Sequence, residues 1–482
     1  MKMFIGGEQR DSRNGEVIEV VNPYTGKLID TVPAATREDV DEAITNAVAG
    51  QKEWYKKNIR ERSEVLKKFV SLIQRDKDEL AKLLSMETGK PIGDSYAELF
   101  ELSYIFEGSV EVMKHHYGRT MPRGTQPGYD TDLQVTVYEP LGVIVCIIPF
   151  NFPLALWAYK AGPALIAGNS ILVKPASVNP LAVTKVCNLL AEAGVPASCC
   201  QCVTGSGSKV GDWLVDDRRI AQVNMTGSVQ AGLSIAKTAA KYLTDYKFEL
   251  GGNDPFIVLE DADMDLAVSE AVDRTRNAGQ CCSGSKRFII HNSRKDEFVR
   301  RLIDEVLEKV VPGDPLDPKT TIGTLVSEEA AIGVEKEIAH TIEQGAKLIY
   351  GGKRNGAYMQ PAVLVDVTKD MDIARNMEVF GPVYPIIGFD TIDEAIEIAE
   401  ATDYGLGSGV ITNDLKKAMK VVHSLRAGHV AVNGAGSFRA VELPFGGGKK
   451  NSGNSRECLS SVLEEVMHVK SIVFRYAMKE VD

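Results

Sequence analysis

Leu141-Gly142-Val143-Ile144-Val145-Cys146-Ile147-Ile148 is an unbroken run in which aliphatic and β-branched residues dominate. That is the pattern of a strand buried on both faces of a parallel sheet. Outward from it the chain alternates. Ser170-Ile171-Leu172-Val173 is a second such run, and Asn179-Pro180 after it predicts a helix start, with Asn as the cap and Pro at the first helical position. This helix reaches about Ala193 and stops at Gly194. Ile220 to Met225 reads as another strand, and Ser228 is placed to cap a helix through Lys241. Strand and helix in strict alternation predict an α/β domain built on a parallel sheet.

A second pattern of the same kind opens at Pro255-Phe256-Ile257-Val258-Leu259. It includes Lys286 to His291 as a strand and a helix from about Lys295, with Phe298, Leu302, Ile303, Val306, Leu307 and Val310 on one face. Helices and short strands continue to about residue 430. Two further segments differ. Asp132 to Tyr138 and His468 to Phe474 alternate polar and apolar residues, as half-exposed strands do. Exposed strand edges invite pairing with another chain, so both are candidate oligomer-forming elements.

The chain has 482 residues, room for two or three domains with large cores. Its net charge of -11 lacks the basic footprint that binding to nucleic acid or an anionic membrane requires. Met1 to Gly6 is too short an apolar stretch for a signal peptide, and the run through Val143 to Ile148 is far shorter than a membrane span. Eight Cys, clustered at Cys199, Cys200, Cys202 and at Cys281, Cys282, do not form a disulfide framework. A reduced, cytoplasmic setting is expected. Cys199-Cys200-Gln201-Cys202 has no His or second Cys pair nearby; a buried strand entry is expected there and no metal.

Three short segments carry chemistry. Gly279-Gln280-Cys281-Cys282 offers a thiol, Glu249-Leu250-Gly251-Gly252 a carboxylate, and Pro149-Phe150-Asn151-Phe152-Pro153 an amide in a Pro-bracketed aromatic turn. Nucleophile, base and oxyanion donor are the three parts that covalent chemistry at a carbonyl needs. A cysteine hydrolase would also need a His partner, and none of the seven His lies in these segments.

These segments, with Asn22-Pro23-Tyr24-Thr25-Gly26, Lys174-Pro175-Ala176, Thr226-Gly227-Ser228, Glu378-Val379-Phe380-Gly381-Pro382 and Pro444-Phe445-Gly446-Gly447, resemble in order and over the whole chain the NAD(P)-dependent aldehyde dehydrogenase superfamily. The resemblance is greatest to its glyceraldehyde and lactaldehyde dehydrogenase-like group. It implies a Rossmann-like dinucleotide-binding domain at 1–117 and 140–250, an α/β catalytic domain at 251–450, and a small bridging β element at 118–139 and 464–482 that assembles dimers or tetramers.

The resemblance implies roles residue by residue. Cys282 is the nucleophile, and Asn151 with the Cys282 N–H binds the oxyanion. Glu249 activates the water that hydrolyses the thioester; relatives passing the acyl group to coenzyme A usually lack this Glu, so a free carboxylic acid is the expected product. Ile147, Pro149, Lys174, Ser177, Lys209, Gly227, Ser228, Leu250, Glu378 and Phe380 are the cofactor-binding candidates. Gly205 to Gly211 is spaced GxGxxxG, as much a loop as a nucleotide site. NAD-specific relatives often carry Glu where Ser177 stands. A neutral Ser beside Lys174 suits a 2′-phosphate, so NADP is the expected cofactor and NAD a possible one.

For the substrate, Phe152, Tyr159, Cys281 and Arg439 are the candidates, with Leu156 and Trp157 on the same helix as Tyr159. Relatives acting on succinate semialdehyde often have Arg at the Tyr159 position. The stretch Ser437 to Phe445 resembles the group oxidising lactaldehyde and glyceraldehyde, so a small hydroxyaldehyde is expected. Succinate semialdehyde and glyceraldehyde 3-phosphate are the alternatives, with Arg439 holding their anionic group.

Overall fold

The computed structural model describes residues 1–479; residues 480–482, the end of the expected bridging segment, lie outside the described residues. Two seven-stranded sheets carry the chain. The first runs from edge to edge as Asp245–Glu249, Gln222–Thr226, Val143–Ile147, Ser170–Lys174, Cys200–Cys202, Met3–Ile5 and Glu8–Arg10. Its first five strands are parallel, and the two N-terminal strands add an antiparallel edge. Cys200–Cys202 is thus a buried strand, as its composition suggested.

The order of these strands fixes where a ligand can sit. From Val143–Ile147 the chain moves outward through Ser170–Lys174 and Cys200–Cys202, then returns to the other side as Gln222–Thr226. Where the winding reverses, the loops leaving neighbouring strands part company, and a crevice opens beyond their carboxyl ends. The segments that leave those ends are Ile148 to Asn151, Pro175 to Ser177 and Gly227-Ser228.

The second sheet is ordered Lys347–Tyr350, Ala362–Val367, Val383–Phe389, Ser285–His291, Asp254–Val258, Gly409–Ile411 and Ala431–Val432. Glu249 ends the last strand of the first sheet, and five residues later Asp254 begins an interior strand of the second, beside the central Ser285–His291. Leu133–Pro140 and Met467–Phe474 pair antiparallel with each other over eight residues. Val469, Val473 and Phe474 of the latter remain exposed. Among the described residues no helix is long and apolar enough to cross a membrane.

Helix starts bring one correction. Asn179 does not cap the helix that follows it. That helix is Leu181–Ala193, with Pro180 one residue outside it. The Asn179 side chain instead donates to Phe150 O at 2.6 Å. The orphan N–H groups of Leu181 and Ala182 donate to the buried carboxylate of Glu87, at 2.7 and 2.9 Å. A remote acid satisfies what a local cap was expected to, and no local spacing reveals it. Ser228 does cap its own helix, Val229–Ala239.

The same device recurs one loop earlier. Glu98 accepts from Leu154 N at 2.7 Å and Ala155 N at 3.2 Å, at the start of the fully buried helix Pro153–Ala167. Its other oxygen pairs with Lys90 Nζ at 2.5 Å, with both side chains out of solvent. Removing one member of such a pair strands the other as an uncompensated buried charge. Glu98→Ala is therefore expected to cost about 3–5 kcal/mol of stability, read as a lowered midpoint in chemical denaturation.

Candidate active site

The three chemistry-bearing segments converge where the carboxyl ends of the first sheet face the loops entering the second. Asn277, Ala278 and Gly279 all take positive φ (48°, 51° and 75°), a strained sequence for the two that carry a Cβ. A Cβ on Gly279 would lie 2.3 Å from the Gly381 backbone, so only glycine passes there. Buried Arg274 secures the turn, donating to Gly279 O at 3.1 Å and Val379 O at 2.6 Å. The result delivers Cys281 and Cys282 into the space between the sheets.

Two cavities meet at that point. One, of about 630 Å³, is lined by residues that include Ile148, Pro149, Phe150, Asn151, Lys174, Ser177, Gly227, Ser228, Leu250, Glu378 and Phe380. The other, of about 200 Å³, is lined by residues that include Phe152, Tyr159, Arg276, Cys281, Ser437 and Arg439. Cys282 alone among the described residues lines both.

Asn151 is buried and tightly placed. Its backbone carbonyl accepts from Lys90 Nζ at 2.7 Å and from Asn277 Nδ2 at 2.9 Å, and its own Nδ2 donates to Gln280 O at 3.2 Å. That leaves the second amide hydrogen available. The Cys282 carbonyl is held by Lys286 Nζ at 2.6 Å, and the same ammonium stands 3.4 Å from Glu378 Oε1. One buried cation thus ties the thiol-bearing loop to the carboxylate of the larger cavity. Cys281 Sγ lies 3.4 Å from Ser283 Oγ; the neighbouring Cys281 thiol and burial push Cys282 up, while the Cys282 and Ser283 side chains hold Cys281 down against its burial. Two groups so coupled share their first thiolate.

Glu249 is buried against the Pro444 to Gly447 segment. A Cβ on Gly446 would come within 2.4 Å of Glu249 Oε1. Among the described residues that oxygen has no hydrogen-bond partner, and burial, then the charge of Glu457, raises the carboxyl well above its ordinary range. Glu457 is itself engaged: Lys160 Nζ lies 3.1 Å from its Oε1 and donates to Thr226 Oγ1 at 2.6 Å, and that hydroxyl donates to Glu457 at 3.1 Å.

In the larger cavity, Lys174 donates only to Pro175 O, at 3.0 Å, and burial lowers its ammonium to about 8. Ser177 Oγ donates to Gly205 O at 2.9 Å. Glu378 accepts from Gly252 N at 3.0 Å, and the Phe380 ring meets Phe150 edge-on at 5.9 Å. A buried ammonium with spare donors, an accepting carboxylate and apolar walls together suit a dinucleotide, whose phosphates and sugar hydroxyls need such partners. Lys209 is exposed and does not line this cavity, and Ile147 lies one residue behind the wall at Ile148. The glycine-rich segment forms a single wide helical turn, Gly207–Gly211, of which Gly207 reaches the wall.

The smaller cavity contains all four expected substrate residues, Phe152, Tyr159, Cys281 and Arg439, together with Leu156. Trp157 is fully buried against Phe69 and Phe106 in the core.

The profile of the Aldehyde dehydrogenase family matches residues 10–472. The chain belongs to the aldehyde dehydrogenase family. It is 37% identical to the 3-sulfolactaldehyde dehydrogenase of Priestia aryabhattai, over 98% of this chain and 97% of that protein. Identity is also 37% to the lactaldehyde dehydrogenase of Methanococcus aeolicus, covering 98% and 99%. Among solved structures, an E. coli NADP dependent enzyme superposes with a TM-score of 0.94 at 35% identity, covering 98% of each chain. The protein is an NAD(P)-dependent aldehyde oxidoreductase.

For an aldehyde dehydrogenase, several residues here escape sequence reasoning. Lys90, Lys160, Lys286, Arg276, Glu101 and Glu457 are far apart in the chain or read as ordinary surface charges. Their signal is burial or wall position, which exists only after folding. The thiol pair gives a direct test. In Cys281→Ala the neighbour that pushes Cys282 up is gone, so alkylation of Cys282 is expected to begin at lower pH than in the parent. Rates of iodoacetamide inactivation across a pH series measure it.

Proposed function

We propose that this protein oxidises a small hydroxyaldehyde, such as glyceraldehyde or lactaldehyde, to the carboxylic acid with NADP. The observation that carries the reading is the position of Cys282 as the one residue shared by a cavity suited to a dinucleotide and a small polar cavity. Aldehyde and cofactor can then approach the same sulfur from opposite sides.

Cys282 loses its thiol proton to solvent, and the Sγ thiolate attacks the aldehyde carbon. Asn151 Nδ2 and the Cys282 N–H donate to the oxygen as it becomes negative, at a site where preorganised donors act without having to reorient. The bound nicotinamide supplies the hydride acceptor. Lys174, Ser177, Gly227, Ser228, Leu250, Glu378 and Phe380 would hold the cofactor, and Lys286 keeps Glu378 in register with the Cys282 loop. Glu249 takes a proton from water, the hydroxide adds to the thioester carbonyl, and the C–S bond breaks to release acid and thiolate. The unpartnered Oε1 and the raised carboxyl of Glu249 support that task.

For the cofactor, Glu378 is the only acid lining the larger cavity among the described residues, leaving no carboxylate beside Lys174 and Ser177 to repel a 2′-phosphate. Similarity to an E. coli NADP dependent enzyme supports the same choice. For the substrate, Tyr159, Ser437 and Arg439 offer hydroxyl-binding groups in a space fit for a few carbon atoms. A second reading adds an anionic tail. Arg276 joins Arg439 on the cavity wall, and a relative at 37% identity is named for 3-sulfolactaldehyde. The reading also places the protein in the cytoplasm as a homo-oligomer, a dimer or tetramer, with the paired strands Leu133–Pro140 and Met467–Phe474 as the bridging element. Each large sheet closes within one of the two expected domains, which supports that division.

Reduced-nicotinamide formation, with NADP and NAD crossed against glyceraldehyde, lactaldehyde, glyceraldehyde 3-phosphate and succinate semialdehyde, tests the reading. The expected leader in kcat/KM is glyceraldehyde or lactaldehyde with NADP; a lead for either anionic substrate selects the second reading. Glu249→Gln is expected to give a burst of about one NADPH per site, then turnover slowed about 10²–10⁴-fold. Because the Glu249 carboxyl is raised, the base form is lost as pH falls through that raised value. Parent kcat should therefore decline at a pH above the usual carboxylate range, and the variant should lose this limb.

A further inference from the structure

The smaller cavity contains an acid that the proposed chemistry leaves idle. Glu101, on the helix Ile92–Lys114, lines it together with Arg276 and Arg439. Tyr159 OH reaches Glu101 Oε1 at 3.5 Å. No carboxylate lies within 4.0 Å of either guanidinium among the described residues, and Arg439 Nε is buried without a partner. Each guanidinium is instead seated on a ring: Arg439 lies 3.9 Å from the Phe445 centroid and Arg276 5.3 Å from that of Phe152. The remaining acid on the wall, Glu457, has its charge answered by Lys160. Asp94 and Asp273 also act on Arg276, but neither lines the cavity.

We propose that Glu101 sets the charge preference of this cavity, offsetting the two guanidinium groups so that neutral hydroxyaldehydes compete with aldehydes bearing a negative tail. This rests on the reading that the smaller cavity receives the aldehyde. Both arginines lie beside aromatic rings and neither is directly paired with Glu101; burial raises the Glu101 carboxyl above its ordinary range, against the pull of Arg439 and Arg276, so its charge is fully carried at mildly alkaline pH. In a small space lined by protein, charges several ångströms apart still interact strongly. A tail placed against Arg276 and Arg439 therefore meets their attraction less the repulsion of Glu101. A hydroxyl can donate to Glu101 and accept from an arginine.

The test compares Glu101→Gln, which keeps shape and removes charge, with the parent at mildly alkaline pH and saturating cofactor. Two substrate pairs differ mainly in charge: succinate semialdehyde against butanal, and glyceraldehyde 3-phosphate against glyceraldehyde. The ratio of kcat/KM for anionic over neutral partner is expected to rise about tenfold in both pairs. Glu101→Asp should stay near the parent ratio, and the cofactor KM should hold in both variants. Should Glu101→Gln not fold, Glu101→Ala is expected to raise the ratios in the same way. A rise below about threefold, or a fall, overturns the proposal. A response in the butanal pair while neither protein oxidises a hydroxyaldehyde would sink the proposed substrate and leave the role of Glu101 standing.

Discussion

Lys90 Nζ is a buried ammonium that holds Glu98 Oε2 at 2.5 Å and Asn151 O at 2.7 Å. Much of the site hangs on it. Glu98 caps the helix Pro153–Ala167, whose residues line the smaller cavity on one side and pack the core on the other. Asn151 sits between that helix and the strand Val143–Ile147. Burying an ammonium and a carboxylate is costly, and the pair persists because Lys90 has a second acceptor in Asn151 O and the other oxygen of Glu98 accepts from two backbone N–H groups. The gain is geometric: a donor amide at the end of a loop is fixed with the precision of a helix.

Lys286 does the matching work from the other sheet. It lies at the entry of Ser285–His291 and binds the Cys282 carbonyl and Glu378. The Cys282 loop, strained through Asn277, Ala278 and Gly279, is therefore anchored on both sides, by Arg274 before the turn and Lys286 after it. Strain of this kind survives only where surrounding contacts over-determine the backbone. Here they do so with buried cations on carbonyl oxygens, which satisfy the carbonyls and keep the cations away from the thiols they influence.

The two cavities differ in how they treat charge. The larger has one ammonium with spare donors and one carboxylate on a wall whose other residues are uncharged. The smaller is crowded with charges of both signs. A pocket of that kind selects by balance among its own groups, so changing any one of them alters how the others meet a substrate. The same logic governs Glu249, whose carboxyl rises because burial and Glu457 outweigh Lys160.

The sequence alone determined the α/β class and the strand seen at Val143–Ile147, because these rest on local periodicity, and its short contiguous motifs pointed to Cys282, Glu249 and Asn151 as candidates. The family resemblance pointed to most of the larger cavity, whose wall is made largely of residues at and just past strand ends. Lys209 was a cofactor-binding candidate, yet the helical turn at Gly207–Gly211 leaves it exposed. Asn179 looked like a cap, yet Glu87, 94 residues before Leu181, took that place. Only the tertiary structure decided which acids serve helix ends, which lysines are buried, and that Glu101 and Arg276 share a wall with Arg439. Those facts depend on side chains from separate elements meeting out of water, where a hydrogen bond or a charge weighs far more than it does along an extended chain.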